Sequence, residues 1–141
     1  MLDIQDIKAL CNENKIAFTQ HFMYRIETRG IIISDIRLAI TNGEIIEQYP
    51  NEVGKRLQNK KGGKTMTCFY CKGTAESSTT KHFADLDTCV VIIKSVPCHK
   101  CTQCGEVIYD VTVGERIEQI VSNLKNSLTE IAVIQYSNVA A

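Results

Sequence analysis

Residues 97–106, Pro97-Cys98-His99-Lys100-Cys101-Thr102-Gln103-Cys104-Gly105-Glu106, read as one half of a metal site whose other half is Cys68-Phe69-Tyr70-Cys71. A two-residue spacer lets both sulfurs of a Cys-x-x-Cys pair reach one ion. Two such pairs supply the four thiolates that a closed tetrahedral zinc site holds at about 2.3 Å. Gly73 and Gly105 follow the two pairs and permit the tight turns that aim backbone N–H groups at the sulfurs. Lys72 and Lys100 flank the site and offset the negative charge of a tetrathiolate centre. The expected ligands are Cys68, Cys71, Cys101 and Cys104, around one structural Zn2+ ion. Four cysteines leave no open position for water or substrate, so no catalytic residue is assigned.

The run CHKCTQC also permits a second register, Cys98 with Cys101. That pair is followed by Thr102 and Gln103, which lack glycine's freedom, and Cys98 follows Pro97 at a predicted strand end. Cys101 with Cys104 is favoured, and Cys98 and His99 remain alternative ligands. Cys89, inside TCVVII, is expected to be a packing residue.

Outward from the cysteines, SSTTKHF and TCVVIIKSV flank ADLD as a hairpin. A ribbon over 66–111 is too small to hold itself by burial alone, so metal is expected to contribute much of its folding energy. VGERIEQIVSNLKNSL then places Val113, Ile117, Ile120, Val121, Leu124 and Leu128 on one helical stripe, with acids early and Lys125 late. The terminal IAVIQY is apolar on both faces and reads as a strand inserted into a sheet.

Before the cysteines, DIQDIKALCNEN has Ile4, Ile7, Leu10 and Cys11 at helical spacing, with Asp3 at the positive end of the dipole. Thr19 can cap a helix QHFMYRIETR ended by Gly30, and Ser34 can cap DIRLAITN ended by Gly43. EIIEQYP reads as one strand stopped by Pro50, and it requires a partner strand from elsewhere. The predicted class is α+β: a small helical segment with one strand (1–52), a polar linker (53–65), a zinc ribbon of two knuckles around a hairpin (66–111), and an amphipathic helix with a terminal strand (112–141).

Composition bounds the function. With 44% hydrophobic and 23% charged residues the chain is that of a soluble globular protein. The start MLDIQDIKAL carries acids where a secretory signal carries Lys or Arg, so a cytoplasmic location without membrane contact is expected. Seven cysteines in that compartment point to metal rather than disulfides. Residues 1–65 hold ten Lys/Arg and eight Asp/Glu, and residues 66–141 hold six and eight, so the halves are +2 and −2. Neither has the basic excess that makes nucleic-acid binding the default. The GGKT of residues 62–65 is not a phosphate loop either: Gln58 stands where the motif needs its first glycine, and a charged segment replaces the lead-in strand.

The order CFYCKG, two-strand insert, VPCHKCTQCGE and helix resembles the YgiT-type, or MqsA-like, zinc fingers of bacterial toxin–antitoxin pairs, over about residues 66–128. The resemblance implies structural zinc on Cys68, Cys71, Cys101 and Cys104, in a non-enzymatic antitoxin of a type II system that contacts a cognate toxin. Longer antitoxins of that group add a DNA-binding helix-turn-helix. The residues after Leu128 are too few for one, so direct nucleic-acid binding is not expected, while a homodimer is compatible with the sequence.

The front segment FTQHFMYRIETRGI is similar to the start of a toxin-like family of unknown function with RelE or BrnT flavour. Its H-x-x-x-R-x-x-x-R-G-I pattern is met by His21, Arg25, Arg29, Gly30 and Ile31. On a helix the first three share a stripe where guanidinium groups can hold RNA phosphates and His21 can move a proton. An RNA-cleaving toxin and a zinc-ribbon nucleic-acid-binding module are therefore the alternatives, against the plainer reading of a solvated polar face. Such toxins continue into further strands after the YP, so the segment reads as truncated.

A toxin front joined to an antitoxin suggests a fusion. Lys-Gly-Gly-Lys-Thr-Met can be encoded by AAA GGA GGN AAR ACN ATG, a bacterial ribosome-binding sequence just before a start codon at Met66. Sequencing the gene checks this reading, and codons 61–63 without a GGAGG core overturn it.

Overall fold

The computed structural model describes residues 3–45, 66–125 and 130–138. In chain order its elements are α1 (Ile4–Asn12), β1 (Ala17–Thr19), α2 (Gln20–Arg29), α3 (Ile33–Asn42), β2 (Met66–Thr67), β3 (Thr74–Leu86), β4 (Cys89–Cys101), β5 (Val107–Asp110), α4 (Val111–Leu124) and β6 (Ile131–Gln135). Among the described residues no helix is long and apolar enough to cross a membrane. The sheet runs β1-β5-β4-β3-β2, and β6 pairs with β4; every pairing is antiparallel except the β4–β6 one.

The β3–β4 hairpin is its spine. Each strand has thirteen residues, longer than the sequence suggests, because the chain turns at Asp87-Thr88, at the end of ADLD and not at its centre. Ala84 pairs with Val91 and Leu86 with Cys89, so the alternation of buried side chains continues to the tip. The register shifts between Thr80/Val96 and His82/Ile93, leaving one extra residue on β4, where Ser95 has φ 56°. A bulge resets which side chains point inward. That is why Ile93 and Val96, three apart, are both fully buried. Pro97 lies within β4, between the stretch paired with β6 and the stretch paired with β5. Among the described residues β4 is flanked there on one side only, so a residue without an N–H is tolerated.

The helices start and stop for local reasons. Asp3 and Asp6 bracket the start of α1, and Cys11 on its inner face is buried as expected. Thr19 Oγ1 accepts from Phe22 N at 3.1 Å, capping α2. Gly30, at φ 65°, ends that helix while Ile31 N donates back to Ile26 O at 3.0 Å. Ser34, however, is not the cap of α3. The helix begins at Ile33, and Ile33 N donates to Glu118 Oε1 of α4 at 2.8 Å. A carboxylate from a distant helix replaces the local hydroxyl.

Strand β1 has no counterpart in the sequence reading, since three residues are too few for a period-two signal to register. It adds to β5 through Ala17↔Asp110, Phe18↔Tyr109 and Thr19↔Ile108. The strand expected at EIIEQYP lies, apart from residues 44 and 45, outside the described residues, as do the polar linker of 53–65 and Leu128. Helix α4 begins two residues earlier than its apolar stripe suggests and buries Val111, Gly114, Ile117, Ile120 and Val121. IAVIQY forms a strand of this chain's own sheet, running parallel to β4 from Val90↔Ile131 to Lys94↔Gln135. One core results. Phe18, Met23, Ile26 and Ile33 pack in the same cluster as Val91, Ile93, Val107, Tyr109 and Ile117.

Burial raises the Glu118 carboxyl above its ordinary value of 4.5, with the Ile33 amide pulling the other way and Glu115, Asp35 and Glu27 adding to the rise. A raised folded-state value means that the stabilising contribution is complete at acid pH and is lost as pH climbs through the folded value. Glu118→Gln keeps an acceptor for Ile33 N without the buried charge. Its stability relative to wild type is expected to improve as pH rises from 4 towards 7 in paired denaturant titrations. Glu118→Ala, which leaves the amide without its acceptor, is expected to lie about 1 kcal/mol below Glu118→Gln throughout that range.

Candidate metal centre

The hairpin register decides where the cysteines fall. Ala75 pairs with Cys101, so the knuckle that precedes β3 faces the knuckle that follows β4. The Sγ atoms of Cys68, Cys71, Cys101 and Cys104 all lie within 4.8 Å of one another. Cys71 and Cys101 are 3.3 Å apart, and Cys68 and Cys104 are 3.6 Å apart. Four sulfurs at about 2.3 Å from a tetrahedral ion stand about 3.8 Å from each other, so the donor set fits a metal of that kind with little rearrangement. Cys68 and Cys101 are buried, Cys71 is half-buried and Cys104 is exposed.

The two knuckles repeat each other. In the first, Cys68 N donates to Gly73 O at 2.8 Å and Lys72 N to Cys68 O at 3.2 Å. In the second, Cys101 N donates to Glu106 O at 2.8 Å and Gly105 N to Cys101 O at 3.0 Å. Lys72, at φ 63°, therefore holds the place of Gly105, at φ 79°. The sequence reading gave that conformational freedom to Gly73, but Gly73 serves another purpose. A Cβ there would come within 2.7 Å of Gln103 Oε1, 3.0 Å of Gln103 Cβ and 3.2 Å of Cys71 Sγ. Its N–H instead points at Cys71 Sγ, at 3.4 Å. Lys72 bears the left-handed backbone while its Nζ donates to Phe69 O at 2.7 Å.

The amides tune the thiols. The Cys104 backbone N–H lowers the Cys101 thiol to about 6, helped by the Gln103 amide and opposed by burial. For Cys104 the Glu106 amide pulls down, but the thiols of Cys71, Cys101 and Cys68, together with burial, push it up to about 12.

The alternative ligands sit elsewhere. Cys98 is 5% exposed within the hydrophobic core, where burial raises its thiol and Lys100 pulls it down. His99 Nε2 meets Asp110 Oδ2 at 3.4 Å. Cys89 is buried in the same core as Cys98.

His21, Arg25 and Arg29 lie on the exposed side of α2. Among the described residues neither arginine has an ion-pair partner. His21 borders a cleft of about 730 Å³ with Gln20, Tyr24, Lys81 and His82, and Cys104 to Val107 close its other side.

Beneath that cleft lies a polar cluster that sequence reasoning missed. His82, 1% exposed, places Nε2 2.9 Å from Glu27 Oε1 and Nδ1 3.4 Å from the Tyr109 hydroxyl. Gln20 Nε2 donates to the same hydroxyl and to Lys81 O, both at 3.3 Å. Burial holds the Tyr109 phenol well above its ordinary range, Cys98 and Glu27 add to the rise, and the Gln20 amide opposes it. Both ring nitrogens of His82 are engaged, so the histidine joins α2 to the sheet and has no free nitrogen for proton transfer. The only hint in the sequence is that Glu27 and His82 occupy inward positions of a helix and a strand whose neighbours are apolar.

The family described as Domain of unknown function (DUF4258) matches residues 18–113, from β1 to the first turn of α4. No curated protein and no solved structure matches the chain.

The knuckle geometry separates two glycine substitutions. Gly73→Ala presses on Cys71 and Gln103 and is expected to lose metal faster than wild type during dialysis against a chelator. Lys72→Gly relieves a left-handed residue worth about 1 kcal/mol and is expected to keep its metal with equal or higher melting temperature. Equal metal retention by Gly73→Ala and wild type would falsify this assignment of roles.

Proposed function

The chain belongs to the DUF4258 family, and from that premise we propose that it is a zinc-binding, antitoxin-like protein of a bacterial type II toxin–antitoxin system, cytoplasmic and acting by protein contact. The observation that carries this reading is the closed set of four thiols. Tetrathiolate donors favour zinc, and a filled tetrahedron has no position for water or substrate, so the metal serves the fold and the work falls to the surface.

The outer face of the sheet supports protein contact. Register places Phe83 beside Ile92 and Ile92 beside Val133, with Val90 and Ile131 in the next row. Phe83 is 54% exposed, Ile131 60% and Val133 52%. A contiguous apolar patch of this kind on a soluble chain is a common mark of a partner surface. Since β6 is hydrogen-bonded to β4 within the chain, partner contact is assigned to this face and not to the addition of IAVIQY as a strand to another sheet.

A second reading, RNA cleavage, is favoured by one observation: His21 borders the cleft together with Lys81, and Arg25 and Arg29 continue its stripe without ion pairs among the described residues. The two readings separate experimentally. Co-expression of the full chain with a toxic relative of its front segment is expected to restore growth and yield a co-purifying complex with one zinc per chain. Persistent growth arrest without a complex, together with RNA cleavage that disappears in His21→Ala, overturns the first reading in favour of the second.

A further inference from the structure

Residues 16–29 are held mainly by residues 81–118, while α3 packs on α1 as well as on α4 and Arg37 also donates to Asn14 Oδ1. The β5 edge takes β1 as a neighbour, and Val111 N donates to Ile16 O at 3.1 Å. On α4, Gly114 leaves a bare patch: a Cβ there would stand 3.2 Å from Phe18 Cδ2, 3.2 Å from Ile33 Cδ1 and 3.4 Å from Met23 Sδ. The side chains of His82 and Glu27 meet at 1% and 7% exposure. Among the described residues Glu27 Oε2 has no hydrogen-bond partner, so this carboxylate depends on His82, at Oε1, for its accommodation. Tyr109 receives Gln20, Glu118 receives Ile33 N, and Glu115 pairs with Arg37 at 2.9 Å.

This combination has the properties of a recognition surface. A strand edge sets direction and register, a groove floored by glycine selects apolar side chains, and a buried histidine demands a carboxylate at one position. On α2 the residues that answer it, Gln20, Met23 and Glu27, share one helical face, and Phe18 precedes them on β1. None of these contacts uses the covalent connection through residues 46–65.

We infer that the surface formed by β5, His82, Tyr109 and Gly114 is a binding site for a strand–helix segment with an aromatic strand residue and a Gln-x-x-Met-x-x-x-Glu helix face, and that it works between chains as well as within one. In the intact protein the segment of residues 16–37 occupies it. Covalent connection raises the local concentration of that segment to the order of millimolar, so a segment from another chain enters only when this one leaves. The inference takes from the proposed function only the identity of the outside partner, a separately encoded toxin-like chain carrying the same segment. The site itself stands without it.

The test uses the full chain with a protease recognition sequence inserted after Gln58, loaded with zinc and then cleaved. The two pieces are expected to co-elute in size exclusion, and a labelled peptide of residues 3–45 is expected to exchange into the complex. Gly114→Leu, which fills the patch, is expected to weaken the association at least about tenfold. His82→Ala, which strands Glu27, is expected to act in the same direction. Zinc content of the 66–141 piece reports whether it remains folded in each variant. Separation of the wild-type pieces with zinc retained overturns the inference, as does a Gly114→Leu protein whose pieces associate as tightly as wild type. Growth rescue by the uncleaved chain tests the proposed function separately, so either idea can fail alone.

Discussion

The pairing of β3 with β4 is the constraint on which the rest of the structure depends. Its tip, Leu86↔Cys89, and its far end, Ala75↔Cys101, fix the register of two long strands. At the far end the register brings two sequence-distant knuckles face to face. Along its length it offers β4 to β6 and β5 on one side and β3 to β2 on the other. A slip of one residue would move every side chain to the opposite face, separating the cysteines and exposing Val91 and Ile93 together. The bulge at Ser95 is the single permitted exception, and it lets one strand serve both the helix-covered core and the metal end.

At the metal end the backbone repeats itself although the residues do not. Cys68 and Cys101 each close a turn with the residue four positions later and another five positions later, but the left-handed position is a lysine in one turn and a glycine in the other. Thiolates at this spacing repel one another. A divalent cation converts that repulsion into stabilisation, so metal and fold are linked quantities in this region. Away from the cysteines, stabilisation is of the ordinary kind: apolar burial around Tyr109, Ile117 and Met23, with Glu27 paired to His82 inside it.

Local signals in the sequence carried far. The cap of α2 at Thr19, its end at Gly30 and the inward Cys11 follow from spacing and side-chain chemistry within one turn of helix, and each is found where those rules put it, while of the stripe expected on α4 Ile117, Ile120 and Val121 are buried. The preference for Cys101 and Cys104 over Cys98 also rested on a local argument, the glycine after Cys104, and these two sulfurs stand with Cys68 and Cys71 while Cys98 lies in the core.

What required the tertiary structure was every feature in which one segment completes another. Strand β1 exists because β5 has an open edge, α3 begins at Ile33 because Glu118 reaches it, and Glu27 is buried because His82 lies opposite. The hairpin turns at Asp87-Thr88 because Ala84 is buried and Leu86 packs against the core, which outweighs the turn preference of ADLD. The sequence by itself determined the helix faces, the caps made by neighbouring residues and the cysteine spacing, because those depend on contacts a few residues apart. The tertiary structure decided the sheet order, the shared core and the polar cluster under the cleft, because these form only when chain closure brings distant residues together.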